Sequence, residues 1–280
     1  MTTSSLSEKP VFSEKTGFFP RSTRTTPYVI ALCHQKGGVA KTTTALALAA
    51  CFAEQGLDTM LIDLDPQGNS TGAMGLNPLA MFHSAADVLL GNGNLVGLSR
   101  ETATTRLDII PANADMLTVD RCLHLRSDFE YVLRDQLQKP GMAHYSLVLL
   151  DCPPALGSLA ITALTASDMV IIPTQCEYFS MQALKNTLKL VETVRAKTNP
   201  TLTHRLLATM VDGRIGLHHS SLKQLRKHFP HAVLKTIIGI DSKLRESQLM
   251  HQPITQYATH SRAAQHYRQL TEELLKYVQS

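Results

Sequence analysis

The feature that most constrains this chain is a short glycine-containing segment between an apolar run and a helix-like pattern. Residues 36–42 read Lys-Gly-Gly-Val-Ala-Lys-Thr, and they follow the apolar run 28–33. Consecutive glycines let successive backbone N–H groups curl around an anion, and the N-terminus of a following helix adds its dipole. A lysine at the end of such a loop reaches the β- and γ-phosphates of a nucleotide, and the next hydroxyl reaches Mg²⁺. The segment therefore predicts a phosphate-binding loop.

The loop follows a variant of the common spacing. The pattern G-x-x-x-x-G-K-[ST] is not met, because Gln35 and Ala40 occupy its two glycine positions. The variant K-G-G-x-x-K-[ST] is met in full by Lys36, Gly37, Gly38, Lys41 and Thr42. The predicted nucleotide contacts in the loop are Lys36, Gly37, Gly38, Val39, Ala40, Lys41, Thr42 and Thr43.

Short apolar runs alternate with helical patterns from residue 28 onward. The predicted strands are 28–33, 59–64, 107–111, 146–150, 169–173, 206–210 and 232–235. The predicted helices are 41–54, 112–125, 128–137, 181–198, 220–229 and 262–278. This alternation predicts an α/β fold of the P-loop NTPase kind, with a mostly parallel, doubly wound sheet and helices on both faces. Residues 28–280 are expected to form a single domain, and the Ser-, Thr- and Pro-rich residues 1–27 a disordered arm.

Two of the predicted strands end in carboxylates, at the edge where an open parallel sheet places its ligands. Asp63 and Asp65 lie two residues apart, so they share a face for as long as the strand geometry holds. Asp151 ends the apolar run 147–150 and is followed by Cys-Pro-Pro. Nucleotide hydrolysis requires Mg²⁺ and a positioned water in addition to a phosphate loop. The loop and the carboxylates, in this order along the chain, predict a hydrolytic site.

The loop resembles the deviant Walker A loop of the ParA/MinD family, and the resemblance extends from about residue 28 to the end of the chain. Residues 61–69 are similar to the family's D-x-D-P-Q switch segment, and residues 147–154 to the D-x-P-P form found in partition ATPases. Residues 173–179 match a Q-C-E-Y segment, and 242–247 and 266–274 resemble the tail of ParA/Soj-type partition ATPases. One departure is that Gly239-Ile240 stands where the family often has Pro-Arg.

The resemblance implies roles for individual residues. Lys41 contacts the phosphates of its own subunit, and Lys36 reaches the phosphates bound by the other subunit of a dimer. Asp65 orients the attacking water, and Glu177 borders either the nucleotide or Lys36, near the dimer interface. The implied Mg²⁺ residues are Thr42, Asp63 and Asp151, and the implied base-lining residues are Met210 and Asp212.

The charge of the chain is distributed unevenly. The formal net charge is +4, but residues 61–180 carry 6 basic and 13 acidic side chains, whereas residues 181–280 carry 15 basic and 6 acidic ones. A basic C-terminal third suits contact with a phosphate backbone, because each neutralised phosphate releases counterions. A solvated helix face without a partner would give the same composition. The candidate phosphate contacts in this third are Arg195, Lys197, Lys223, Arg226, Lys227, Lys243, Arg245 and Arg262. By resemblance, the residues expected to contact DNA are Arg214, Lys243 and Arg245.

The function that the resemblance implies is that of a partitioning ATPase with ATP and Mg²⁺ as cofactors. The ATP-bound homodimer is expected to bind nonspecific double-stranded DNA, and a ParB-like adaptor to trigger hydrolysis to ADP and phosphate. Hydrolysis is expected to be weak without the adaptor, and the protein to be cytoplasmic and associated with the nucleoid. A nucleotide-dependent scaffold without turnover would use the same loop, but the presence of Asp65 argues against it.

Two competing functions make different demands on the chain. A MinD-like membrane-cycling ATPase needs an amphipathic C-terminal helix with a cationic face. Residues 262–280 have helical apolar spacing but end without such a face, so we expect a helix packed on the core and no stable membrane association. An iron–sulfur carrier needs paired cysteines, and the five cysteines include no C-x-x-C pair. Reduced, buried thiols in a soluble intracellular protein are the expectation.

Overall fold

A computed structural model describes residues 24–176 and 178–278 and shows a seven-stranded sheet. The strands are β1 (Tyr28–Leu32), β2 (Thr59–Asp63), β3 (Arg100–Glu101), β4 (Leu107–Ile110), β5 (Leu147–Asp151), β6 (Met169–Gln175) and β7 (Thr203–Thr209). Their order in the sheet is β3-β4-β2-β5-β1-β6-β7. All neighbouring strands run parallel except the short edge strand β3, which is antiparallel to β4. The predicted mostly parallel sheet is confirmed.

The central strand β1 shows why the apolar runs are continuous. Val29 and Ala31 belong to one buried cluster, whereas Ile30 and Leu32 belong to another. Successive side chains of a strand point to opposite faces, so a strand covered on both sides needs apolar residues at every position. The two clusters are the two halves of a core divided by the sheet.

Helices cover both faces of this sheet. They are α1 (Lys41–Glu54), α2 (Asn69–Ala73), α3 (Ala85–Leu90), α4 (Leu95–Leu98), α5 (Met116–Cys122), α6 (Val132–Leu137), α7 (Ser158–Thr165), α8 (Tyr178–Lys197), α9 (Gly216–His228), α10 (Lys243–Leu249), α11 (Ile254–Tyr257) and α12 (Arg262–Val278). Short 3₁₀ turns lie at Pro78–Ala80, Leu123–Leu125, Phe129–Tyr131 and Pro140–His144.

The C-terminal helix α12 packs on the core, as its apolar spacing predicts. Tyr267 is fully buried, and its hydroxyl lies 3.1 Å from the Thr44 hydroxyl of α1. Leu270 and Leu274, one turn apart, lie in the same cluster as the apolar residues of α1. The apolar face of α12 is therefore used inside the protein. No described helix combines the length and hydrophobicity that a membrane span requires.

The structure corrects several predicted elements. Residues 232–235 form no strand and make only an isolated bridge between Val233 and Leu206 of β7. The predicted helix 112–125 begins later, at Met116, and ends in a 3₁₀ turn, because residues 113–115 form a turn held by the Asn113 side chain. Of the thiols expected to be buried, Cys122 is exposed, whereas the other four cysteines are buried and free.

Candidate nucleotide-binding site

The predicted site residues meet at the carboxyl ends of three adjacent strands. In the sheet register, Leu32 at the end of β1 lies beside Asp151 of β5, and Asp151 lies beside Asp63 of β2. The phosphate-binding loop follows β1 directly, so it starts next to both carboxylates. Ligands of open α/β sheets bind at this edge of the strands.

The loop backbone has the conformation that an anion cradle needs. Gly38 has a φ of 71° and Ala40 a φ of 70°, both in the left-handed region. Helix α1 begins immediately afterwards, at Lys41. A Cβ atom at Gly37 or Gly38 would meet nothing within 4 Å, so the space in front of the loop is open. The left-handed turns and the helix N-terminus together direct N–H groups into this space.

Side chains from neighbouring strands hold the loop in place. The Gln175 amide, at the end of β6, donates from Nε2 to the Gly38 carbonyl at 3.0 Å. The Thr209 hydroxyl, at the end of β7, donates to the Val39 carbonyl at 3.1 Å. Because these two contacts use carbonyl groups, neither of them occupies a loop N–H group.

The two lysines of the loop differ in their surroundings. Lys41 is only 7% exposed, and its ammonium makes one long hydrogen bond, 3.4 Å to the Lys36 carbonyl. Lysine is almost never buried without a charged partner. Lys36 is half-buried, and its ammonium donates to Gln175 Oε1 at 2.8 Å. A phosphate in the open space before the loop would pair with the buried ammonium of Lys41.

Asp151 is the carboxylate best placed for a metal ion. It is fully buried, its Oδ2 accepts a hydrogen bond from the Ser70 hydroxyl at 2.8 Å, and its Oδ1 has no hydrogen-bond partner. Burial raises the pKa of Asp151, whereas the adjacent hydroxyls of Thr42 and Ser70 lower it. A buried carboxylate oxygen without a partner is costly unless a ligand completes it. The donor set therefore fits Mg²⁺.

Both carboxylate oxygens of Asp63, one of the implied Mg²⁺ residues, accept hydrogen bonds from the protein. Its Oδ2 accepts from the Thr71 backbone at 2.8 Å and from the Thr71 hydroxyl at 2.7 Å, and its Oδ1 accepts from the Asp65 backbone at 3.1 Å. Burial, and then the charge of Asp151, raise the pKa of Asp63. Asp63 thus fixes the start of helix α2 and the direction in which the chain leaves β2.

Asp65 lies at the same edge and is also largely buried. Its Oδ1 accepts a hydrogen bond from the Gln67 backbone at 3.0 Å. Within residues 24–176 and 178–278, no three His, Cys, Asp or Glu side chains form a cluster of metal ligands. This is consistent with Mg²⁺, which proteins usually hold through one or two carboxylates together with water and substrate phosphates.

A surface cleft of about 510 Å³ lies beyond the end of β7. Asp212 lines it, together with the Gly239-Ile240 pair that replaces the family's Pro-Arg. Met210, the other predicted base-lining residue, does not line this cleft; its sulfur lies 2.8 Å from Gln175 Nε2 instead. The structure therefore brings Asp212 and the 239–240 loop together and places Met210 beside the phosphate loop.

Three of the remaining predicted residues are exposed, and a fourth falls outside the described residues. Arg214 is 90% exposed, and its guanidinium binds both carboxylate oxygens of Asp212, at 3.0 and 2.7 Å. Lys243 donates to Glu246 at 2.6 Å, and Arg245 is exposed on the same helix, α10. Glu177 is the residue outside the described ranges. The hydroxyl of Thr43 accepts a hydrogen bond from Gln248 Nε2 of α10 at 3.0 Å.

Sequence reasoning missed four residues that support the site. Ser70 and Thr71 hold the two buried carboxylates, Gln175 holds the loop, and His34 accepts from the Lys36 backbone N–H at 2.9 Å through Nδ1. The available signal was position: Ser70 and Thr71 closely follow the D-x-D-P-Q segment, and Gln175 ends a strand at the ligand edge. None of the four has a spacing that marks it in the sequence by itself.

The fold and the site define a P-loop nucleotide-binding protein. A model of the AAA domain family matches residues 27–204. The sporulation initiation inhibitor protein Soj of Bacillus subtilis is 35% identical over 255 residues, which cover 88% of this chain and 97% of the relative. The chromosome partitioning protein ParA of Caulobacter vibrioides is 35% identical over 249 residues, which cover 88% of this chain and 93% of the relative.

A solved structure is also similar to this chain over most of its length. The crystal structure of a cobyrinic acid a,c-diamide synthase from Mycobacterium smegmatis with bound ATP analog and magnesium has 32% sequence identity and a TM-score of 0.79, and it covers 91% of this chain and 96% of its own. The chain belongs to the ParA/Soj family of P-loop ATPases. The predictions of an ATPase and of ATP and Mg²⁺ as cofactors are confirmed at the level of this family.

Proposed function

We propose that this protein is a partitioning ATPase that cycles between an ATP-bound homodimer on DNA and an ADP-bound form released from DNA. The observation that carries the proposal is a phosphate-type loop with a buried Lys41 and a half-buried Lys36, at the same sheet edge as Asp151, whose Oδ1 has no hydrogen-bond partner. The relatives named for chromosome partitioning support the cargo-moving role.

At the loop, each residue has a separate task in this proposal. Backbone N–H groups of residues 37–43 bind the phosphates, and Lys41 neutralises their charge within its own subunit. Thr42 and Asp151 would hold Mg²⁺ and Asp63 would help to order its ligand shell, and the bound ion would neutralise charge that develops on the phosphates. Asp65 orients the attacking water, and Asp63 keeps the neighbouring backbone in position through Thr71. The cleft lined by Asp212 binds the base.

Dimer formation gives Lys36 its role. Lys36 follows the carboxyl end of β1. A second subunit placed face to face with this end of the strands would bring its bound nucleotide near the Lys36 ammonium. Glu177 is proposed to lie at the same interface. A lysine supplied in trans makes dimerisation depend on ATP, because the bound phosphates are part of the contact surface.

DNA and an adaptor are the proposed partners. Arg214, Lys243 and Arg245 are proposed to contact the backbone of nonspecific double-stranded DNA in the dimer. A ParB-like adaptor would stimulate hydrolysis and so release the dimer from DNA. The protein would then act in the cytoplasm, on the nucleoid, without stable membrane association.

The proposal is tested by measuring mass and DNA binding in parallel. Light scattering should show a dimer with ATP and a monomer with ADP. Interferometry on immobilised random-sequence duplex DNA should show binding with ATP only, and log K should fall by about 0.9 per neutralised phosphate as log salt rises. Equal DNA binding with ATP and ADP, or binding that ignores salt, would contradict the proposal.

A further inference from the structure

Helix α9 and the residues that flank it contain many basic side chains and no acidic ones. Residues 213–240 include five Lys or Arg side chains and four His, but no Asp or Glu. The basic residues of this segment are Arg214, Lys223, Arg226, Lys227 and Lys235, and all of them are exposed. Such a run of like charge is unusual on a surface where both signs normally mix.

Helix α9 has one buried face and one exposed face. Leu222 and Leu225 are buried, and Leu222 packs on Cys176 and Ala208. Lys223 and Lys227 are four residues apart, so they are neighbours on the opposite, outward face. Arg226 lies three residues from Lys223 and joins the same face. Three cations therefore share one exposed stripe of α9, which we call the α9 stripe.

Helix stability accounts for only part of this arrangement. Arg226 and Lys227 lie in the last turn of α9, where a positive charge gains about 0.3–1 kcal/mol from the helix dipole. Lys223 lies in the middle of the helix and gains no such benefit. Like charges at i,i+4 instead cost about 0.2–0.5 kcal/mol. The position of Lys223 beside Lys227 is explained better by an anionic partner than by stability.

The α9 stripe also differs from the cations that the family resemblance selects. The Arg214 guanidinium is chelated by Asp212, and Lys243 is paired with Glu246 at 2.6 Å. In each pair the carboxylate would repel a phosphate that approaches the cation. No described acidic side chain lies within ion-pair distance of Lys223, Arg226 or Lys227, although Arg226 makes a 3.4 Å hydrogen bond to the Lys235 carbonyl. The stripe therefore attracts a polyanion more strongly than either pair.

We infer that the α9 stripe is a docking surface for the phosphate backbone of double-stranded DNA. The inference rests on the proposed function, because it specifies where the DNA of that function binds. A cluster of exposed cations suits a backbone that carries a negative charge at every phosphate, and the contact would carry no sequence preference.

The test removes the stripe and compares it with an equal loss of charge elsewhere. One variant combines Lys223→Ala, Arg226→Ala and Lys227→Ala, which keeps a good helix former at each position. The control combines Arg100→Ala, Arg121→Ala and Lys139→Ala, three exposed cations in the acidic part of the chain. Both are measured on random-sequence duplex DNA with ATP across a salt series, and on vesicles of anionic lipid.

The stripe variant should bind duplex DNA about tenfold more weakly or worse, with the salt slope reduced by up to about 2.7, whereas the control should bind like wild type. Its ATP-driven dimer and basal hydrolysis should be unchanged. If it binds DNA like wild type, if the control is weakened equally, or if only vesicle binding is lost, the inference is overturned.

The result separates the inference from the proposed function. Wild-type protein that fails to bind DNA with ATP would contradict the proposed function itself, whereas normal wild-type binding with an unaffected stripe variant would contradict only the inference. If the triple variant melts early, the single change Lys223→Glu gives a second test. Reversing the central charge should weaken DNA binding at every salt concentration, and an unchanged affinity would overturn the inference.

Discussion

The ammonium of Lys36 lies 2.8 Å from the side-chain oxygen of Gln175, within the same subunit. The amide group of the same Gln175 also holds the Gly38 carbonyl. The lysine proposed to act across a dimer is therefore directed inward, toward its own sheet. It has to leave Gln175 before it can reach a phosphate bound by another subunit.

Replacing Gln175 with Leu should make Lys36 more reactive in the nucleotide-free protein. A hydrogen bond to a charged group contributes about 1.5–3 kcal/mol, and partial exposure reduces this to about 1 kcal/mol, or roughly a fivefold change in accessibility. The rate of amine acylation at Lys36, followed by peptide mass spectrometry, measures the effect. Exposed Lys139 provides an internal control with an unchanged rate. Equal Lys36 rates in both proteins would show that Gln175 does not restrain it.

Replacing Lys41 or Lys36 with Ala should cause two different defects, one in ATP binding and the other in dimer formation. Lys41→Ala removes the buried charge from the subunit's own phosphate site, so ATP binding should be lost. Lys36→Ala should leave ATP binding by the monomer and abolish the ATP-dependent dimer. Fluorescent nucleotide titration and light scattering separate the two outcomes. A normal ATP dimer in the Lys36 variant would refute its role across the interface.

Asp65→Ala should trap the dimer. Its carboxylate is proposed to orient water, whereas Thr42 and Asp151 hold the metal, so the variant should bind Mg²⁺ and ATP but release little phosphate. Light scattering should show a dimer that persists for much longer than in wild type, and a phosphate-release assay should show slow turnover. A variant that fails to bind ATP would instead place Asp65 among the metal ligands.

Much of the fold was predictable because the strong signals are local. Helix α1 begins and ends where its pattern predicts, at Lys41 and Glu54, since the loop fixes its start and its apolar residues are continuous. The bounds of strands β1 and β5 match the prediction within one residue, because both strands are buried on both faces.

The missed elements depend on contacts that are distant in sequence. Helix α2 reads Asn-Ser-Thr-Gly-Ala, which has low helix propensity. It forms where Ser70 and Thr71 hydrogen-bond Asp151 and Asp63, and only the folded sheet brings these groups together. Gln175 likewise gains its role from the register of β6 beside β1, which no local pattern shows. The site carboxylates could be predicted from strand ends, but their supporting hydroxyls could not.

The stability of the protein should depend on pH through His34. His34 is fully buried beside the phosphate loop, and its Nδ1 accepts a hydrogen bond from the Lys36 backbone N–H, which places the proton of the neutral ring on Nε2. Burial, and then the charges of Lys41 and Lys36, lower the pKa of His34 from 6.5 to about 4. Protonation of Nδ1 would also remove the hydrogen bond that holds the loop.

The sign of the effect follows from this lowered pKa. Above pH 6.5, His34 is neutral in both the folded and the unfolded chain, and its contribution to stability is complete. As the pH falls from 6.5 toward 4, only the unfolded chain binds the proton, so the free energy of unfolding should decrease by roughly 1.4 kcal/mol per pH unit, or about 3 kcal/mol in all. Asp63 and Asp151 have raised pKa values and act in the opposite direction.

The wild type should therefore be compared with His34→Asn, which keeps an acceptor for the Lys36 N–H and leaves both carboxylates in place. Urea unfolding of the two proteins, at neutral pH and near pH 4.5, gives the difference directly. The stability advantage of wild type should shrink by about 2–3 kcal/mol over that range, and a constant difference would show that His34 takes up its proton as readily in the folded protein as in the unfolded chain.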